Sequence, residues 1–223
     1  MSTYVFDTET TGSGEHDQVI EAAVLRIDNP VNWQVTAEWG QRFRPSVPIS
    51  LGALATHHIF EEELVKKQPS EEFKVPLDTQ YIVGHNVDFD WRMAGSPDVK
   101  RICTLALARF ALPDLDSHSQ VALAYYFNPN DEMRTMVRNA HSASVDVEVC
   151  RVNAANLCDV LESQGHDVST WEKLHEVSEI ARVPKVMPFG KHKGEAIESL
   201  PADYKRWLLS QDWLDEYMRK ALV

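Results

Sequence analysis

The order of elements along the chain predicts an α/β fold: a mixed five-stranded sheet flanked by helices, followed by a small C-terminal module. Three observations carry this. Three strand-like runs come first with short turn signals between them, further strands then alternate with helical runs, and the texture changes after Gly165. At 223 residues, 43% hydrophobic and 25% charged, the chain is long enough for one good core and an appendage.

Tyr4-Val5-Phe6-Asp7-Thr8-Glu9-Thr10 has the apolar lead-in of a buried strand. Val19 to Ile27 reads as a second strand, and Trp33 to Phe43 holds a third that ends at Arg44-Pro45. Gly12-Ser13-Gly14 opens the loop after the first and Asn29-Pro30 marks a turn after the second, so the three form an antiparallel meander. From Ser50, a candidate N-cap, to Lys67, the apolar residues Leu51, Leu54, Ile59 and Leu64 predict one or two short helices, with Glu61-Glu62-Glu63 as a solvated face.

Tyr81 to Gly84 is a fourth strand that runs into His85-Asn86, where Asn86 is placed to cap a helix carrying Phe89, Asp90 and Met93. Arg101 to Thr104 is the fifth, followed by helices from Leu105 to Phe110 and from Ser119 to Phe127. The clearest helix is Ser142 to Ser163, with Val145, Val149, Val152, Ala155 and Leu157 as its core stripe and Gly165 as its terminator. Trp171 to Arg182 is helical again, and two more helical runs follow the glycine-flanked Lys191-His192-Lys193 turn. The expected organisation is a main domain over 1–165, a linker and helix over 166–182, and a basic-leaning module over 183–223.

No basic segment followed by a long apolar stretch opens the sequence, so a signal peptide and a membrane span are not expected, and the reading is cytoplasmic. Cys103, Cys150 and Cys158 form no C-x-x-C pair and read as buried free thiols. The net charge of −12 argues against a nucleic-acid partner, because phosphate binding rests on Lys and Arg. That charge is unevenly placed: from Val183 onward seven Lys/Arg face six Asp/Glu, a net of +1, which leaves −13 for the rest. Cations at a carboxylate site cancel part of it, and an enzyme that grips a few terminal nucleotides needs few phosphate contacts.

Asp7 and Glu9 lie two apart on a strand and so share a face. Like charges at a buried strand end are costly unless a cation neutralises them, and an oxygen-loving ion such as Mg²⁺ or Mn²⁺ suits. Their bland reading is a pair of exposed strand-end acids. His85-Asn86-Val87-Asp88-Phe89-Asp90 puts an acid on a helix that starts where a strand ends, the place where open α/β sheets collect ligands. Asp88 competes with Asp90 for that role, and Asp90 is preferred because Phe89 between them is core-facing. The alternative is an acid that only favours the helix dipole. His141-x-x-x-x-Asp146 sets an imidazole just before a long helix and an acid just inside it, which suits a general base beside a fixed ligand. Alone, His141 also reads as a surface or capping residue.

Asp7-Thr8-Glu9-Thr10, His85-Asn86-x-x-Phe89-Asp90 and His141-x-x-x-x-Asp146, in this order, resemble the three motifs of the DEDDh branch of the DnaQ-like 3′-to-5′ exonucleases, over roughly residues 3 to 165. The pattern is most similar to the exonuclease X group, through Pro48-Ile49-Ser50 with Ala55-Thr56-His57, Ile102 to Arg109, and Phe189-Gly190-Lys191-x-Lys193-Gly194. The resemblance implies a ribonuclease-H-like fold and hydrolysis with two divalent cations, Mg²⁺ or Mn²⁺. One ion falls to Asp7, Glu9 and Asp146, the second chiefly to Asp7 with Asp90, and the general base is His141. It also implies substrate contacts at Thr10, His57 and Asn86. His57 reads equally as a packing residue.

Several relatives carry a large apolar side chain where Ser13 stands, able to wedge between bases, and a small hydroxyl cannot do that. Single-stranded DNA with a free 3′ end is therefore the favoured partner, with repair or end-trimming as the setting. A 3′-to-5′ exoribonuclease acting on short RNA or tRNA ends keeps the same chemistry, and a catalytically idle scaffold binding a polymerase or repair partner is the rival from another class. In the tail, Lys191 and Lys193 are candidate phosphate contacts, while Phe189, Tyr204 and Trp207 read first as the module's own core.

Overall fold

A computed structural model describes residues 2–138 and 140–223. The chain divides into two compact units, one reaching to Ser178 and the other spanning Glu179–Val223. Strand β1 (Ser2–Thr10) sits inside a sheet of order β4-β3-β2-β1-β5-β6, with β2 at Val19–Ile27, β3 at Val35–Arg44, β4 at Gln68–Pro69, β5 at Thr79–Gly84 and β6 at Lys100–Cys103. The sheet is mixed: β1, β2 and β3 form the antiparallel meander, whereas β5 and β6 run parallel to β1. It has six strands, not five. The extra one, β4, pairs only Gln68 with Phe43 and Pro69 with Arg44, and two residues are too short for any periodicity.

Short helices α1 (Leu51–His57) and α2 (Glu61–Leu64) follow the meander, and Ser50 caps α1 by accepting the Ala53 N–H. Helix α3 (Asp88–Met93) comes directly after β5, and α4 (Thr104–Ala111) after β6. Then come α5 (Gln120–Phe127), α6 (Asp131–Val137), the long α7 (Ala143–Ser163) and α8 (Trp171–Ala181). Asn86 does not cap α3. It lies one residue too early, exposed and in the left-handed region at φ 69°, and the capping position belongs to Val87.

Period-2 alternation gives the sheet two different faces. On one, Tyr4, Phe6, Ala22, Val24, Phe43 and Phe73 build an aromatic-rich core. On the other, α7 packs across β1 and β2. The helix comes close because Ala23 is small and Gly40, its partner on β3, has no side chain: a Cβ there would lie 3.0 Å from Ser144 Oγ. The buried stripe of α7 runs through Asp146, Val149, Asn153 and Leu157, while Val145, Val152 and Ala155 flank it half-buried. Residues 166–178 pack with the first unit, where Trp171 meets Trp33 edge-on and Ser178 Oγ accepts the Cys103 N–H. Gly165, at φ 88°, ends α7 as expected.

The second unit has its own core of Met187, Ile197, Leu200, Leu208, Leu214, Met218 and Leu222. A bridge between Val186 and Ala196 closes a hairpin, and helices α9 (Ala202–Leu209) and α10 (Glu216–Leu222) complete it. Among the described residues, no helix is long and apolar enough to cross a membrane.

Candidate active site

At the carboxyl ends of β1 and β5 the acidic side chains meet. Asp7 and Glu9 project from one face of β1, and the strand register places Glu21 of β2 opposite Glu9 and Arg42 of β3 opposite Glu21. Two like charges directly across a sheet destabilise it. Here the row is balanced from its far side, because Arg42 Nε lies 2.7 Å from Glu21 Oε1. The other oxygen of Glu21 accepts the N–H of Ala143 at 2.9 Å, fastening the first turn of α7 to the sheet.

That turn carries Asp146. Its Oδ2 accepts the backbone N–H of His141 at 2.8 Å, and its Oδ1 accepts Nε2 of Gln120 at 3.0 Å. Gln120 is held in turn, since its carbonyl accepts Asn153 Nδ2 at 2.9 Å. His141 adopts φ 67°, a left-handed conformation that costs a non-glycine residue about 1 kcal/mol, and its side chain is exposed. The imidazole nevertheless has a ring nitrogen within 4.8 Å of carboxylate oxygens of both Glu9 and Asp146.

Asp90 enters from α3. It is buried, and one oxygen accepts both the backbone N–H and the hydroxyl of Thr8, at 2.9 and 2.7 Å. Asp88 instead pairs with Arg101 at 2.6 Å, so the choice between the two acids falls to Asp90. Asp7, Glu9, Asp90, His141 and Asp146 all line one cleft of about 390 Å³, with Asn86, Phe89 and Gln120 among its other walls. A second cleft of about 340 Å³, near Ser2, Arg26 and Trp171 at the start of β1, gathers no such cluster.

Crowding shows in the proton affinities. Burial, then repulsion from Asp90, Asp146, Glu9 and Glu21, holds the Asp7 carboxyl well above the usual carboxylate range. Burial and the charges of Asp146, Glu21 and Asp90 push Glu9 up to about 8. Burial also raises Asp90 and Asp146, but the donors from Thr8 to the first, and from His141 and Gln120 to the second, pull back. Without cations this pocket keeps protons that ordinary carboxylates lose. Four carboxylates and an imidazole, with no thiolate lining the cleft, are a donor set suited to hard divalent cations.

Two expected substrate contacts fall outside the lining. Thr10 is buried and its hydroxyl donates to the Gly12 carbonyl at 2.6 Å. His57 is also buried, its Nδ1 accepting the Ile59 N–H, and burial lowers its proton affinity. Lys191 and Lys193 are exposed in the second unit. Sequence reading missed Glu21 and Gln120. Only Glu21, in the strand run Val19-Ile20-Glu21-Ala22, carried a signal: an acid at a core-facing position.

Residues 4–151 match a sequence family described as Exonuclease. Residues 174–220 match another, described as Putative quorum-sensing-regulated virulence factor. Exodeoxyribonuclease 10 of Escherichia coli (strain K12) is 28% identical over 211 residues, which cover 92% of this chain and 90% of that protein. Among solved structures, Exonuclease X in complex with 5′ overhanging duplex DNA aligns with a TM-score of 0.59 at 25% identity, over 78% of this chain and 99% of that one. E. coli Exonuclease I in complex with a dT13 oligonucleotide shares the fold, with a TM-score of 0.57 at 20% identity over 74% of this chain and 42% of that one.

Proposed function

The chain belongs to the exonuclease family and is a DnaQ-like 3′-to-5′ exonuclease, and from that premise we propose that it hydrolyses DNA from the 3′ end to release nucleoside 5′-monophosphates. The observation that carries this reading is the convergence of Asp7, Glu9, Asp90 and Asp146, with the His141 ring beside two of them, in one cleft.

Asp7, Glu9 and Asp146 are assigned to one divalent cation, and Asp7 with Asp90 to a second. When bound, the two cations, Mg²⁺ or Mn²⁺, polarise the terminal phosphodiester and stabilise the entering and leaving oxygens of an in-line displacement. His141 takes the proton of the attacking water at an imidazole nitrogen, the role of general base. Water oxygen forms the new bond to phosphorus while the 3′-oxygen of the penultimate nucleotide leaves. Because Asp146 accepts the His141 N–H, base and metal ligand are positioned together. Asn86 is assigned to the terminal nucleotide, with Thr10 and His57 supporting the strand end from behind. The buried free thiols of Cys103, Cys150 and Cys158 fit a reducing compartment, and the reading places the enzyme in the cytoplasm, in DNA repair or end-trimming.

Cleavage of 5′-labelled single-stranded DNA and RNA of matched sequence, with Mg²⁺, Mn²⁺ or chelator, tests the reading. A ladder that shortens from the 3′ end, with cation only and mainly on DNA, supports it. Faster loss of RNA would move the substrate to RNA, and no cleavage of either would leave the catalytically idle scaffold that binds a polymerase or repair partner.

A further inference from the structure

The Glu179–Val223 unit exposes aromatic rings that its small core leaves over. Trp207 and Trp213 are 51% and 60% exposed, while the core itself is aliphatic and methionine-rich, with Phe189 and Tyr204 packed at its edge. These four rings are joined through one short turn. Trp213 meets Phe189 edge-on at 5.7 Å, and the 3-10 turn Gly190–His192 follows directly. His192 reaches Tyr204 at 4.5 Å, and Tyr204 stacks on Trp207 at 5.5 Å with 24° between the planes.

The cations are interleaved with the rings. Lys191 Nζ lies 4.9 Å above the Tyr204 ring, and Lys193, two residues after Lys191, and Arg206, two residues after Tyr204, are exposed. The turn that presents the lysines is fixed at both ends. Gly190 and Gly194 take φ 70° and 90°, and Gly194 N–H bonds to Met187 O while Met187 N–H bonds to Glu195 O. A Cβ on Gly190 would lie 3.1 Å from Tyr204 Oη, and φ 70° favours glycine, so the turn sits close against the Tyr204 hydroxyl. An exposed loop held this firmly presents its charges without a large ordering cost on binding.

We propose that this face, Trp213, Phe189, Lys191, Lys193, Tyr204 and Trp207, is a single-stranded polynucleotide platform, its rings stacking on bases and its lysines meeting phosphates. This deepens the exonuclease reading and rests on it for the choice of a polynucleotide over a peptide. Stacking is sequence-tolerant because every base has a π face, and alternating rings with cations matches a strand that alternates bases with phosphates. The charge distribution agrees. The rest of the chain is strongly acidic and repels a polyanion, so a second grip on the same chain raises the effective concentration of the 3′ end at the cleft.

The test is fluorescence anisotropy of labelled dT20 and rU20 with the full chain in chelator, where hydrolysis is absent. Trp207→Ala/Trp213→Ala and Lys191→Ala/Lys193→Ala are each expected to weaken binding of both strands about tenfold. The lysine pair should also flatten the salt dependence, lowering the slope of log K against log salt by about 1.4. Hydrolysis of a trinucleotide should be unchanged, which shows an intact nuclease unit. Wild-type affinity and salt slope in both double variants would overturn the proposal and leave the face to a protein partner. Binding is read without catalysis, so loss of the exonuclease reading would appear as absent cleavage with the anisotropy result still standing.

Discussion

The acids on the strand and the acids on the helices are held in opposite ways. Asp90 and Asp146, on α3 and α7, each accept two or more hydrogen bonds from Thr8, or from His141 and Gln120. Asp7 and Glu9, on β1, face mainly burial and their neighbours' charges. The helix pair is oriented by donors, so its geometry survives without cations. The strand pair is tolerated only with protons or cations, so it makes the strongest demand for metal.

The sharpest way to break this contrast is to neutralise one acid of each kind. Asp7→Asn and Asp146→Asn should both lower 3′-end hydrolysis by on the order of 10³-fold, read on 5′-labelled DNA at saturating Mg²⁺. In chelator at pH 8 their melting temperatures should part, with Asp7→Asn rising by about 5 °C and Asp146→Asn by clearly less. Equal shifts would erase the distinction. Next comes His141→Ala, expected to cost on the order of 10²-fold in turnover and to flatten the acidic limb of the pH–rate profile with cation affinity kept. A profile parallel to wild type would remove the base.

A third prediction concerns the fold without metal. Glu9 is raised from 4.5 to about 8 in the folded state, so the unfolded chain releases this proton first. Stability from this group is therefore full below about pH 4.5 and is lost as pH rises through 8. Melts in chelator should fall between pH 5 and pH 8, and Mg²⁺ should restore the loss. A flat melting profile would show that the strand acids are not crowded. Smallest is Glu21→Ala, which leaves the Ala143 N–H unpaired at the foot of α7 and Arg42 with Glu63 alone, and should destabilise by about 2 kcal/mol in urea melts. Its turnover should drop only about tenfold, because Gln120 still holds Asp146.

Much of the architecture was legible because it rests on local patterns. Val19 to Ile27 is a strand to the residue, and Ser142 and Gly165 bracket α7 as read. The five residues Asp7, Glu9, Asp90, His141 and Asp146 do share a cleft. What stayed hidden depends on distant partners. Glu21 reaches Ala143, 122 residues on, and Gln120 reaches Asp146, 26 residues on, and no periodicity encodes such pairs. Helix α6 was overlooked although Asn130 caps it through the Met133 N–H, because seven residues barely make two turns. On α7 the apolar stripe was placed off centre, since the face toward the sheet is partly polar: Asp146 and Asn153 occupy positions a hydrophobic rule assigns to valines.

The proton-loaded carboxylates also separate two events in the life of the chain. A pocket that could exist only around cations would make folding wait for metal, as in small zinc-dependent domains. Here protons serve as placeholders, so a newly synthesised chain can reach its final shape first and exchange them later. Maturation becomes an ion exchange on a finished scaffold, and each cation taken up should be marked by protons released to the solvent.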